Sequence, residues 1–197
     1  ERHTAALAAP GSATAVPALE ALGFEATNLS ALPVPTGMSG ATRLFADFEG
    51  RMADYAAARD YPAVKGVSYL SVHNRFGTIS IRDLARAAWM AKGDGPATWL
   101  SELVWRDFYF QVLWHHPHAA TGAFRREYDA IAWPGTDEHF AAWREARTGF
   151  PLVDAAIRQL AATGWMHNRL RMVAASFLVK DLLVDWRLAL AAALTGA

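Results

Sequence analysis

Trp99-Leu100-Ser101-Glu102-Leu103-Val104-Trp105-Arg106-Asp107-Phe108-Tyr109 decides how this chain folds and what it can bind. At roughly 100° per residue, Trp99, Glu102, Trp105, Arg106 and Tyr109 fall within an arc of about 120° on an α-helix. One face then carries a carboxylate, a guanidinium, a phenol and two indoles. A stripe turned to a core would be Leu and Val, and a face turned to water would be Lys and Glu without large rings. Flat π surfaces mixed with polar groups suit a planar heterocycle or a nucleic-acid base.

Outward from this stretch the pattern stays helical. Good helix formers fill 41–59 and stop at Asp60-Tyr61-Pro62, because proline disfavours helix in the residue before it. The segment 67–76 is aromatic and serine-rich, and Gly77 breaks it. Ser80 is placed to cap a helix over 81–91. Gly93-Asp94-Gly95-Pro96 reads as a turn, with Thr98 capping a helix over 99–115 that Pro117 ends. A short helix is expected over 137–146. Pro151 sits at the first turn of a helix running to Leu160. Gly164 stops it, and helices over 166–179 and 181–186 follow. No strand alternation and no repeat is visible, so the expected class is all-α. Residues 1–40, punctuated by Pro10, Gly11, Pro17, Pro33, Pro35, Gly37 and Gly40, read as an interdomain connector, and 41–197 as a helical domain.

The bulk numbers set limits. Of 197 residues, 53% are hydrophobic, which is ample for a core, and 19 basic residues balance 19 acidic ones. Global charge therefore gives no argument for nucleic acid. Locally, 159–180 holds Arg169, Arg171 and Lys180 and no acid. Without cysteine, disulfides and thiolate chemistry are excluded. The longest late apolar run, 188–194, is far shorter than the ~20 residues a bilayer needs, and no signal peptide is visible. A cytoplasmic protein with no membrane partner is expected. The first residue is Glu1 rather than Met, which reads as a piece of a longer chain.

Two further clusters carry chemistry. In Gly164-Trp165-Met166-His167-Asn168-Arg169-Leu170-Arg171-Met172, helical spacing sets Asn168, Arg171, Met172 and Ala175 on one face. An amide can pair with a base edge, a guanidinium can hold phosphate, and a thioether offers a polarizable contact to a π system. Lys65-Gly66-Val67-Ser68-Tyr69-Leu70-Ser71 brings two hydroxyls to a helix start, where phosphate can sit. Trp89, Trp114 and Trp143 read as core residues, and His167 as a structural hydrogen-bond partner. Arg169 and Arg171 could also bridge Asp181 or Asp185. His115-His116-Pro117-His118 is not read as a metal site, since Pro117 breaks the helix and no acid has ligand spacing.

Together these clusters resemble the helical flavin-binding domain of the DNA photolyase and cryptochrome family, over about residues 17–187. Four runs stand in family order: the stretch from Trp99 to Tyr109, Thr148-Gly149-Phe150-Pro151 continuing to Leu160, Trp165 to Met172, and Lys180-Asp181-Leu182-Leu183-Val184-Asp185-Trp186-Arg187. The Met166 to Met172 form looks like the enzymes that split cyclobutane pyrimidine dimers. The resemblance implies light-driven repair, in which reduced FAD gives an electron to a flipped-out dimer and recovers it. It implies FAD contacts from Tyr55, Ser68, Leu70, Ser71, Trp99, Arg106 and Arg171. Arg59, Trp105, Tyr109 and Arg169 would meet DNA, with Trp105 stacking on the dimer. Glu102 would hydrogen-bond the dimer carbonyls as a proton-sharing acid, and Asn168 and Met172 would line the dimer pocket. Trp133 and Trp186 would be outer and middle members of a tryptophan relay to the flavin.

The sequence departs from the family pattern in two places. Val67 stands where the family commonly has Thr, so one hydroxyl is lost. After Arg187 the family continues into an Asp-Gly-Asp and Asn-x-Gly-Gly-Trp-Gln-Trp segment, whereas this chain reads Leu188-Ala189-Leu190-Ala191-Ala192-Ala193-Leu194-Thr195-Gly196-Ala197. The expectation is a helical domain truncated at its C-terminal end, lacking the N-terminal α/β antenna domain and its pigment, with weak FAD retention and little repair. The complete protein is expected to be a monomer. A cryptochrome-like light sensor without repair is the alternative, and a non-functional helical scaffold is a third reading.

Overall fold

The computed structural model describes residues 17–25, 28–32 and 34–188. Within 17–32 there are two short 3-10 turns, Glu20–Leu22 and Asn28–Ala31. This segment forms a unit separate from Val34 onward. The Ala-rich ending read from the sequence lies outside the described residues.

From Val34 the chain is helical, with no strand among the described residues. The helices are α1 (Gly37–Glu49), α2 (Tyr55–Ala58), α3 (Ser71–Phe76), α4 (Ile81–Met90), α5 (Asp94–His115), α6 (Asp137–Arg144), α7 (Pro151–Thr163) and α8 (Asn168–Ser176). Helices α1 to α5 share one apolar core of Phe48, Met52, Tyr55, Leu70, Leu84, Ala88, Trp99 and Leu103. Helices α6 to α8 share a second, which includes Trp143, Val153, Ile157, Met166, Leu170, Phe177 and Leu178. Trp143 is pinned there by its indole N–H, which donates to the Ala174 carbonyl at 3.0 Å.

Local signals explain several boundaries. The Ser80 hydroxyl accepts from the Asp83 amide and caps α4, and Pro151 opens α7. Elsewhere the chain departs from the sequence expectation. The helix expected over 41–59 starts at Gly37 and ends at Glu49. A 3-10 turn (Met52–Asp54) and the short α2 then follow. Arg51 marks this break, its guanidinium turned to Asp47 and to the Lys65 carbonyl. The turn expected at 93–96 is instead the first turn of α5. Gly95 permits this, because a Cβ there would collide with the backbone of Met52 and Ala53. The helix expected over 166–179 ends at Ser176 and widens into a π turn, Phe177–Asp181, closed by the Leu182 amide on the Phe177 carbonyl at 3.0 Å. No helix crosses 181–186 as expected, since 183–185 has no regular structure and Leu183 takes a left-handed backbone, φ 53°. Trp89 and Trp114 are 76% and 81% exposed, so two of the three tryptophans assigned to the core are on the surface. Only Trp143 is buried as expected.

Candidate functional site

A cavity of about 330 Å³ opens where the two cores meet. From the first core it takes Tyr55 and the loop Val67-Ser68-Tyr69-Leu70-Ser71, and from the second Trp165, Met166, Asn168 and Arg171. Burial pushes the Tyr55 phenol up to about 12, so it stays a neutral donor at ordinary pH. The Arg171 guanidinium is held by the Met166 carbonyl at 3.2 Å, while Asn168 is exposed at the cavity edge. The Ser68 hydroxyl accepts from the Leu70 amide at 3.5 Å.

A ladder of charges runs beside this cavity. Arg59 donates to Glu102 at 2.6 Å and lies over the Tyr55 ring, 5.3 Å from its centre. Glu102 is not part of the cavity lining and connects to it through Arg59 and Tyr55. Asp60 sits 3.7 Å from Arg59 and 2.5 Å from Arg169, which joins the end of α2 to α8. Two guanidiniums thus face two carboxylates, so neither Arg59 nor Arg169 is a bare cation. Burial works against the Arg59 charge, but the Glu102 hydrogen bond and the nearby acids hold its pKa above the ordinary value. Sequence reasoning missed Asp60, whose partner is far away in sequence. Arg169 pairs with Asp60 rather than with Asp181 or Asp185. It is Arg187 that binds Asp185 (2.8 Å) and Asp129 (2.6 Å).

His167 is the structural partner the sequence suggested. Its Nδ1 accepts from the Arg169 amide at 3.1 Å and caps α8. Burial holds its pKa below the ordinary value, against the opposing pull of the Arg59 backbone and the Asp60 charge. A neutral imidazole is the form that can accept this bond.

The face of α5 divides. Glu102 is partly exposed, and Trp105 and Tyr109 are exposed and stacked on each other with centroids 5.9 Å apart. Arg106 turns to the Asn74 carbonyl (3.2 Å) and over the Phe110 ring (4.7 Å). Trp99, read as part of this polar face, is 3% exposed and belongs to the first core, 4.7 Å from Phe48 and 6.0 Å from Phe45. Its face is decided by α1 packing against α5, a tertiary contact that helical spacing alone does not reveal.

Asn168 and Met172 also separate. Met172 is 54% exposed and lines a second cavity of about 560 Å³ with Phe150, Val173 and Phe177. Its sulfur is 3.7 Å from the Arg169 guanidinium. Trp133 and Trp186 are half-buried. Their segments run side by side, with the Gly135 amide donating to the Leu183 carbonyl at 3.0 Å.

Residues 99–193 match the family described as the FAD binding domain of DNA photolyase. The chain is 42% identical over 188 residues to a deoxyribodipyrimidine photo-lyase of Synechococcus, covering 91% of this chain and 38% of that protein. A bacterial class III photolyase from Agrobacterium tumefaciens superposes with TM-score 0.82 at 33% identity, over 92% of this chain and 40% of that one. A Synechocystis cryptochrome superposes with TM-score 0.72 at 29% identity, over 84% of this chain and 36% of that one. The chain therefore spans well under half the length of the relatives it matches.

Proposed function

The chain belongs to the DNA photolyase and cryptochrome family, and from that premise we propose that it is part of a deoxyribodipyrimidine photolyase, repairing cyclobutane pyrimidine dimers in DNA with light. The carrying observation is the cavity bounded by Tyr55, Ser68, Ser71, Asn168 and Arg171, one step from the Arg59–Glu102 pair. Its donors fit FAD. Ser68, Ser71 and Arg171 suit a pyrophosphate, and Leu70, Trp165 and Met166 give apolar walls for a ring. At about 330 Å³ the cavity would hold part of the cofactor. When bound, reduced FAD supplies the excited electron that opens the cyclobutane ring and then returns.

The chain's own residues bind and orient. Trp105 and Tyr109 offer exposed rings for an extruded pyrimidine dimer. Glu102, aligned by Arg59, hydrogen-bonds the pyrimidine edge, Asn168 closes the edge of the first cavity, and Met172, which lines the second, offers its thioether to the substrate from that side. Arg59 and Arg169 meet the DNA backbone after exchanging part of their pairing with Glu102 and Asp60 for phosphate. Arg106 supports the flavin surroundings through α5. Trp99 backs the cavity from the core behind Tyr55, and Trp133 and Trp186 carry electrons toward the flavin. The chain before α1 serves as the connector to a pigment-bearing antenna domain, in a cytoplasmic monomer.

Titrating the purified protein with FAD and following flavin fluorescence tests this assignment. Saturable quenching that Arg171→Ala weakens is expected, and absence of saturation overturns it. A sensor without repair is the second reading, favoured by the likeness to the Synechocystis cryptochrome. Photoreduction with an intact thymine-dimer oligonucleotide would select it.

A further inference from the structure

Tyr69 has φ 58°, a left-handed conformation that a bulky side chain adopts only when its surroundings hold it there. Two partners do so. On one side its ring packs tilted against Trp165 of the α7–α8 loop, with centroids 5.1 Å apart and planes at 43°. On the other, the Arg51 guanidinium lies 5.9 Å from its centre. Arg51 is itself fixed, 3.1 Å from Asp47 and 2.6 Å from the Lys65 carbonyl. Lys65 closes the arrangement on Asp47 at 2.7 Å. The Lys65 hydrogen bond first, then Arg51, holds the Asp47 carboxyl below its ordinary range. Asp47, Arg51, Tyr69 and Trp165 thus form a column from α1 to the α8 side, and its two rings are walls of the cavity.

We propose that Tyr69 and Trp165 act as an aromatic clasp that draws the Ser68–Ser71 loop onto the loop before α8, and so sets the cavity width and the hold on its ligand. Tyr69 is a positioning residue here, acting through the two serines it places. The inference rests on the cavity being the FAD site. The geometry favours a clasp over simple packing, because Tyr69 and Trp165 come from different halves and are only half-buried.

The test compares Tyr69→Asn, Tyr69→Phe, Trp165→Leu and the pair Tyr69→Asn with Trp165→Leu. Asparagine tolerates a left-handed backbone, so it removes the ring without adding strain. Tyr69→Asn should weaken FAD binding about fivefold to tenfold, as loss of one aromatic pair implies. Tyr69→Phe should rescue it, and the double variant should be little worse than either single change. Without flavin, the part of the eight-tryptophan emission that Trp165→Leu removes should be quenched by acrylamide more readily in Tyr69→Asn than in the wild type. Equal affinity and equal quenching across the variants, with the wild type binding FAD, overturn the clasp alone. A wild type that binds no FAD overturns the cofactor assignment and the clasp with it.

Discussion

Trp99→Phe separates a core role from a cofactor-contact role at the residue where sequence and structure diverge most. The indole is 3% exposed between Phe45 and Phe48. The change withdraws about 40 Å² of buried apolar surface, worth about 1 kcal/mol at ~25 cal/mol per Å². It also leaves a void of about 40 Å³, worth about 1 kcal/mol more at ~24 cal/mol per Å³. A total near 2 kcal/mol corresponds to a fall in Tm of about 4–8 °C for a chain of this size. Thermal unfolding followed by circular dichroism reads it, with Trp105→Phe as a control that should move Tm by about 1 °C or less, since its ring is half exposed. FAD affinity, measured on the same samples, should change little in Trp99→Phe. An unchanged Tm with a lost flavin signal would refute the assignment of this indole to the core.

Three further outcomes are expected. The depressed His167 pKa means the unfolded state binds a proton more readily below 6.5. Stability from this group is therefore complete above pH 6.5 and declines as pH falls toward the folded value. His167→Asn, which can still cap α8, should flatten that slope in melts between about pH 5 and 8. Asp154 accepts from the Thr148 amide and hydroxyl and from the Gly149 amide, at 2.9, 2.6 and 3.1 Å. The Thr148 hydroxyl bond is first among the causes that lower its pKa. Asp154→Ala should lower Tm at neutral pH, and the gap should close as pH falls below 3.8 through the depressed folded value. Gly135→Ala places a Cβ 2.6 Å from the Leu182 carbonyl oxygen and 2.7 Å from Leu183 backbone atoms. It should cost about 1–3 kcal/mol in urea unfolding. It should also change the near-ultraviolet dichroism of Trp133 and Trp186, and a silent spectrum would show that this close approach does not position them.

Local chemistry was legible in the sequence and distant pairing was not. Ser80 and Pro151 announce α4 and α7 because a cap and a fixed φ act within one turn. The start of α5 was hidden because Gly95 and Pro96 read as a turn, whereas the missing Cβ at Gly95 is what lets the helix end rest on Met52 and Ala53. Glu102 and Asn168 stood out because polar groups among large rings are unusual on a helix. Asp60 did not stand out, since its meaning comes from Arg169 on a helix remote in the chain. Trp89 and Trp114 misled because hydrophobic character says nothing about which side of a helix is covered.

The two separate cores have a consequence for motion. Oily interiors lie on either side of the cavity, while ions, ring edges and the buried His167 imidazole at the Arg59 backbone cross between them, and the exposed ion pairs among these are contacts that water replaces at modest cost. A small slide of one half against the other would leave both interiors intact and strain chiefly the His167 contact. A bulky guest can enter by shear, the way packed helices commonly yield, and once seated it becomes the mortar between them.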